Sequence, residues 1–271
     1  MKWTALSLFI FCFTPTHAQE AKENWDTYLV PFAKGNGSVL VNLGLKEKAP
    51  AADLKFVVIT GVKIKECTPD GFAAEKEFQT LYKISDGVAE MIEKKKRNLA
   101  AGTVTYNCER LDYFYVNDTT LLRKYLNDYY KTFYPQYSYI IRIQEDKGWD
   151  KYLNVLYPNG ETLESMKNQK VLLQLTKAGD KLTKERPIYH TIQFTTEEDR
   201  RQFFAWAYEQ NFKVEKDGLR TDTSTHPFIL KMYREDKPDL TTMNRLTLYL
   251  SKEAARFNGI YSSWETFVIK D

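Results

Sequence analysis

The stretch "RPIYHTIQFTTEEDRRQFFAWAYEQNFKV", Arg186 to Val214, carries two hydrophobic periods in direct succession. Side chains alternate along a strand, so Arg186, Ile188, His190, Ile192 and Phe194 share one face, and Tyr189, Thr191 and Gln193 share the other. The apolar members mark the first set as a core face. The period then lengthens to that of a helix. Thr195 and Glu198 have capping-box spacing, and the acidic run Glu197-Glu198-Asp199 suits a helix start. Strand, helix and returning strand "FKVE" therefore follow one another within thirty residues.

Continuing toward the C-terminus, "FILKMYR" reads as a strand, "LTTMNRLTLYLSKEAARF" as a helix entered through Pro238-Asp239, and "WETFVI" as a final strand. The order is βαββαβ, an antiparallel sheet with two helices on one face, and right-handed crossovers give the spatial strand order 4-1-3-2. The same order occurs upstream. Leu54 to Ile64 is a strand, and a long helix is expected from about Phe72 to Lys95. "GTVTYN" and "RLDYFYV" flank a tight turn, Asp118-Thr119 is expected to cap the helix "TLLRKYLNDYYKTF", and "SYIIRIQ" closes the unit. A hairpin, "WDTYLVPF" and "SVLVNLGL" turning at Gly35-Asn36-Gly37, stands in front. Between the halves, a helix is expected from about Leu163 to Lys177, followed by a polar connector. The fold class is α+β: two ferredoxin-like sandwiches in tandem, the first extended by an N-terminal β-hairpin.

The amino terminus sets the expected compartment. Lys2 precedes an apolar run from Trp3 to Phe13, too short to span a bilayer, and Thr16-His17-Ala18 places small residues at the −3 and −1 positions of a cleavage site. Residues 1–18 read as a secretory signal, which leaves domains at 19–158 and 159–271 of an exported, periplasmic or extracellular protein. The balance of 39 Lys and Arg against 36 Asp and Glu in 271 residues gives a formal charge of +3, with both signs interspersed. That distribution offers nucleic acid no clustered basic face. The run Lys94-Lys95-Lys96-Arg97 is a cationic helix end.

Some matches are longer than single motifs. From Trp25 to about Pro158 the chain resembles the bacterial domain-of-unknown-function family 695, on "WDTYLV", "VNLGLKEKAP", "PDGF…E", "DYFYV" and "DKGWDKYLNVLYPNGE". From about Met166 onward it resembles the regulator of ribonuclease E activity B (RraB-like) domain. The matching pieces there are "VLLQLTKAGDKL", "ERPIYHTIQF", "EEDRRQFFAWAYEQNFKV" and "GIYSSWETFV". The first resemblance implies no assigned activity; the second implies a protein-binding inhibitor of a cytoplasmic nuclease. This chain departs from the second family at Ser262-Ser263, where Asp-Gly is common. It also lacks a strongly acidic balance, and export would separate it from a cytoplasmic enzyme. The ribonuclease role is therefore not transferred.

No Gly-x-Ser-x-Gly, glycine-rich phosphate loop or Cys-x-x-Cys is present in the sequence. No catalytic residue, metal or cofactor is implied. His190, with Arg186 four residues before it, is expected to be structural. The alternative is a hydrolase using His190 with a carboxylate assembled by the fold. Aromatic content is high, with 18 Tyr, 16 Phe and 5 Trp. A helix-free sheet face could present Tyr189, Gln193, Lys231, Tyr233 and Trp264 to a protein partner, pack against the other domain, or join copies of a homo-oligomer. Cys67 and Cys108 fall at the same end of the first sheet, where export permits a disulfide. Such a bridge would close a loop of roughly 40 residues and contribute about 3–5 kcal/mol in the entropic model. Two free thiols sharing that end are the alternative.

Overall fold

A computed structural model describes residues 23–33, 35–220 and 224–270. The expected signal segment and its Cys12 lie outside the described residues. The chain divides into two units between Tyr157 and Pro158.

In the first unit, β1 (Trp25–Phe32), β2 (Gly35–Asn42), β3 (Phe56–Lys63), β4 (Asn98–Tyr106), β5 (Glu109–Val116) and β6 (Tyr139–Glu145) form one sheet in the order β1-β2-β4-β5-β3-β6. Every neighbouring pair is antiparallel. Strands β3 to β6 thus follow the 4-1-3-2 order, and the hairpin extends the sheet at β4. Phe32 pairs with Gly35, so the turn lies ahead of Gly35, and Asn36 and Gly37 pair along β2.

Helices α1 (Phe78–Glu93) and α2 (Leu122–Phe133) cover one face of this sheet. Leu81, Ile84 and Val88 of α1 and Leu122, Leu126 and Tyr130 of α2 bury against Val58, Val62 and Phe114. Helix α1 starts later than its periodicity predicts. Gly71 takes φ 84°, and Cys67 bridges to Ala73 as an isolated β pair, so Phe72 belongs to a loop. Asp118-Thr119 does not cap α2: Asp118 accepts from the Thr120 amide in the turn ahead of it, and the N-cap position is held by Leu121 at φ 61°, with no side-chain cap.

The second unit places α3 (Gly160–Lys177) ahead of β7 (Arg186–Phe194), α4 (Glu197–Glu209), β8 (Lys213–Leu219), β9 (Phe228–Asp236), α5 (Leu240–Arg256) and β10 (Gly259–Glu265). Its antiparallel sheet runs β10-β7-β9-β8, again 4-1-3-2. Helix α3 begins at Gly160 because the Asn159 side chain accepts from the Thr162 amide. Helix α4 is capped one residue later than the spacing suggests: Thr196, rather than Thr195, accepts from the Asp199 amide at 3.1 Å. The Asp239 side chain caps α5 through the Thr242 amide.

Candidate functional site

Alternation along β7 separates two surfaces. Arg186, Ile188, His190, Ile192 and Phe194 are buried, while the residues between them are half-buried. Ile192 and Phe194 pack with Phe203 and Ala207 of α4 and with Leu246 and Leu250 of α5, which accounts for the sealed face. Among the described residues, the opposite face carries no helix of its own unit. Register places Tyr233 opposite Tyr189, Lys231 opposite Thr191 and Ile229 opposite Gln193. The Tyr189 and Tyr233 rings lie 5.4 Å apart between centroids, and the Lys231 ammonium stands 5.1 Å from the Tyr189 ring. Glu215 and Glu265 approach that ammonium at 2.9 and 2.6 Å. Hydrogen bonds to Glu265 and Glu215 hold the Lys231 pKa above its ordinary value, so the cation is fixed in place. Two amphipathic rings around a pinned charge combine apolar contact area with directional polar groups, as protein interfaces do.

Trp264 is not part of this surface. A bulge between Tyr261 and Ser263 resets the alternation of β10, so Tyr261 and Trp264 both turn toward the helices. Trp264 packs with Leu172, Leu175, Ile188 and Met243, and its indole donates to Asn168 Oδ1 at 2.7 Å. Asn168 in turn donates to Asn244 and Thr247, each at 2.9 Å, which ties α3 to α5 and β10. Trp264 is thus a core anchor, and Glu265 takes the outward position beside Tyr189.

His190 lies on the sealed face at 0% exposure. Its Nδ1 is 2.9 Å from the Tyr261 hydroxyl, and its ring meets Phe212 edge-on with centroids 5.9 Å apart. Burial, reinforced by the nearby Arg234 charge, lowers its pKa to about 3, so the imidazole is neutral at ordinary pH. Among the described residues, Nδ1 is partnered by the Tyr261 hydroxyl and not by a carboxylate, and the buried Nε2 has no hydrogen-bond partner. His226, in the loop before β9, bonds the neighbouring Thr225 hydroxyl instead. Among the described residues, no group of three or more His, Cys, Asp and Glu side chains is placed to hold a metal ion.

Arg186 is equally enclosed. Its guanidinium forms a two-pronged pair with Asp180 and also donates to the Phe267 carbonyl at 3.1 Å and the Lys184 carbonyl at 3.2 Å. Asp180 accepts further from the amides of Leu182 and Ile269. The hydrogen bonds from Arg186 lead in lowering the Asp180 pKa to about 2. This clasp gathers the connector after α3, the start of β7 and the segment after β10. Asp180 had no signal of its own, because "KAGDKLTKE" has the composition of a solvated connector.

Cys67 and Cys108 are joined by a disulfide with Cα atoms 5.6 Å apart. Cys108 and Asn107 make the two-residue β4–β5 turn with φ 61° and 50°, a left-handed pair that brings Cys108 back over the loop following β3. The Gly71 carbonyl accepts from the Cys108 amide at 3.0 Å and completes the approach.

Residues 23–157 match the model of a family of unknown function (DUF695), and residues 165–266 match the model of Regulator of ribonuclease activity B. No curated protein matches the chain. No helix among the described residues is long and apolar enough to cross a membrane.

Proposed function

We propose that this chain is an exported, non-catalytic binding protein that engages a protein partner through the helix-free sheet face of its second unit. The observation that carries the reading is the cluster of Tyr189, Tyr233 and Lys231, held by register and by two glutamates on a face that no helix of the unit covers. Gln193 extends the same surface, paired with Ile229. A match to a regulator family supports a binding role over a catalytic one, and the sealed, carboxylate-free His190 gives hydrolysis no starting point. The Lys2-led apolar run and the Cys67–Cys108 disulfide support an oxidising compartment outside the cytoplasm. In that compartment the partner is not a cytoplasmic ribonuclease.

The test is affinity capture from the native cell envelope, comparing the wild-type chain with Lys231→Glu/Tyr233→Ala. A specific protein retained by wild type and lost from the double variant, with both chains equally folded, supports the reading. Equal capture by both moves the binding site elsewhere. Light scattering of the purified chain separates the homo-oligomer alternative: self-association abolished by the same double variant would replace the partner with a second copy.

A further inference from the structure

The added hairpin creates a cleft in the first unit that the helices leave unfilled. Pairing sets Arg110 and Asp112 of β5 on the same side as Val58 and Val62, which is the side of α1 and α2. Beyond them the sheet continues through β4, β2 and β1, where Trp25 and Leu29 are 38% and 66% exposed. Two adjoining cavities result. One, of about 410 Å³, is walled by Leu29, Phe72, Phe78 and Leu81; the other, of about 290 Å³, reaches Asp112, Thr103 and Trp25. Tyr82 and Arg110 line both.

The cleft is lined by one cation, Arg110, and two carboxylates, Asp112 and Asp86. Arg110 donates only long bonds, to Ser85 Oγ at 3.3 Å and Thr105 Oγ1 at 3.4 Å, with its guanidinium 5.2 Å from the Tyr82 ring. It has no carboxylate within ion-pair distance among the described residues. Asp112 is 4% exposed and accepts from the Thr103 hydroxyl at 2.7 Å. Its burial raises its pKa, and the nearby Arg110 charge offsets this only in part, so a second cation beside it would act in the same lowering direction. Two residues apart on one strand face, Arg110 and Asp112 are separated by about 6.6 Å of backbone. That leaves room for a ligand carrying an anionic and a cationic group on one carbon to bridge them.

We propose that this cleft binds a zwitterionic apolar α-amino acid, with its carboxylate on Arg110, its ammonium toward Asp112 and its side chain in the compartment of Leu29, Phe72, Phe78 and Leu81. A simple fatty acid would pair with Arg110 but bring no cation to Asp112. A simple amine would leave Arg110 unmatched. The combination of an apolar chamber with a cation, Arg110, and a carboxylate, Asp112, two positions apart is what selects the class, and Asp86 at the rim adds to the pull on the ammonium.

Titration calorimetry of the whole chain with L-phenylalanine, 3-phenylpropionate and phenethylamine tests it. Measurable binding of L-phenylalanine is expected, with each analogue at least tenfold weaker because it lacks one charge. Arg110→Met should weaken L-phenylalanine at least tenfold and leave phenethylamine unchanged. Leu29→Trp, at an exposed position whose change spares the core, should weaken L-phenylalanine comparably by filling the chamber. Absence of L-phenylalanine binding at millimolar concentration, analogues that bind as well as the zwitterion, or indifference to both substitutions would overturn the assignment.

Discussion

Both units share the strand order 4-1-3-2 and place two helices on one face, yet they treat the other face in opposite ways. In the first unit, residues 146–157 lie across it. Trp149 stacks on Tyr115 at 3.9 Å and donates to the Leu54 carbonyl at 2.9 Å. Tyr115 donates to Asp146 at 2.6 Å and accepts from the Tyr152 amide at 3.0 Å. The Tyr152 hydroxyl reaches the Asn42 carbonyl at 2.8 Å, and Tyr28 reaches the Leu156 carbonyl at 3.0 Å. In the second unit no segment among the described residues plays that part, and Tyr189, Lys231 and Tyr233 stay half-buried. An aromatic on a sheet of this kind is therefore not informative by itself. What matters is whether the chain supplies a cover.

The contrast can be attacked directly by substitution. Trp149→Ala removes a side chain at 0% exposure and should destabilise the first unit by about 3–5 kcal/mol, as large-to-small core changes do. Tyr233→Ala on the uncovered face should cost under about 1 kcal/mol. Chemical denaturation of the two variants checks the pair, and equal costs would break the comparison.

The units also differ in how they tie distant segments together, one by a covalent bond and the other by a buried ion pair. Arg186→Met leaves the Asp180 carboxylate enclosed without its cation and should cost about 3–5 kcal/mol. Acidification acts on the same clasp. Because the folded Asp180 pKa is depressed, its stabilisation is complete above the ordinary carboxylate value of 3.8 and is lost as pH falls toward about 2. Reduction of Cys67–Cys108, across a separation of 41 residues, should cost the first unit about 3–5 kcal/mol in the entropic model and leave the second unit's transition in place. Unfolding monitored with and without reductant distinguishes the two ties.

His190 sharpens the comparison further, since its effect should be confined to the second unit. The folded imidazole resists protonation down to about pH 3, whereas an unfolded histidine takes a proton near 6.5. Stability is therefore full above pH 6.5 and declines below it, by up to about 1.4 kcal/mol per pH unit until pH 3. His190→Ala should cost about 1–3 kcal/mol at neutral pH, flatten that acid slope and leave partner capture intact in the folded fraction. A smaller effect belongs to the helix cap: Thr196→Ala should cost about 1 kcal/mol, and Thr195→Ala less, as read by thermal unfolding.

The strand order was legible because period-two and helical runs alternate cleanly from Leu54 to Glu145 and again from Arg186 to Glu265. The inward position of Arg186 and His190 followed from the same alternation. Trp264 was misplaced because a bulge inserts one residue, a displacement that leaves no mark on composition. Adjacent threonines, each with an acidic residue three positions on, made the start of α4 ambiguous by one residue. The cover over the first sheet was not legible either. "DKGWDKYLNVLY" contains turn formers and aromatics without a sustained period, and only the contacts of Trp149 and Tyr152 reveal its role. Asp180, Tyr261 and Asn168 acquire their parts through partners distant in the chain, which local spacing does not encode.

The difference between a covered and an uncovered sheet face is tested most directly by tyrosine nitration of the folded chain, with modified positions read by peptide mass spectrometry. Tyr189 and Tyr233 are expected to react in the native protein. Tyr115 and Tyr152 are buried at 0% exposure with their phenol pKa values raised by desolvation, and should react only after unfolding. Native protection of Tyr189 and Tyr233 equal to that of Tyr115 and Tyr152 would contradict the account.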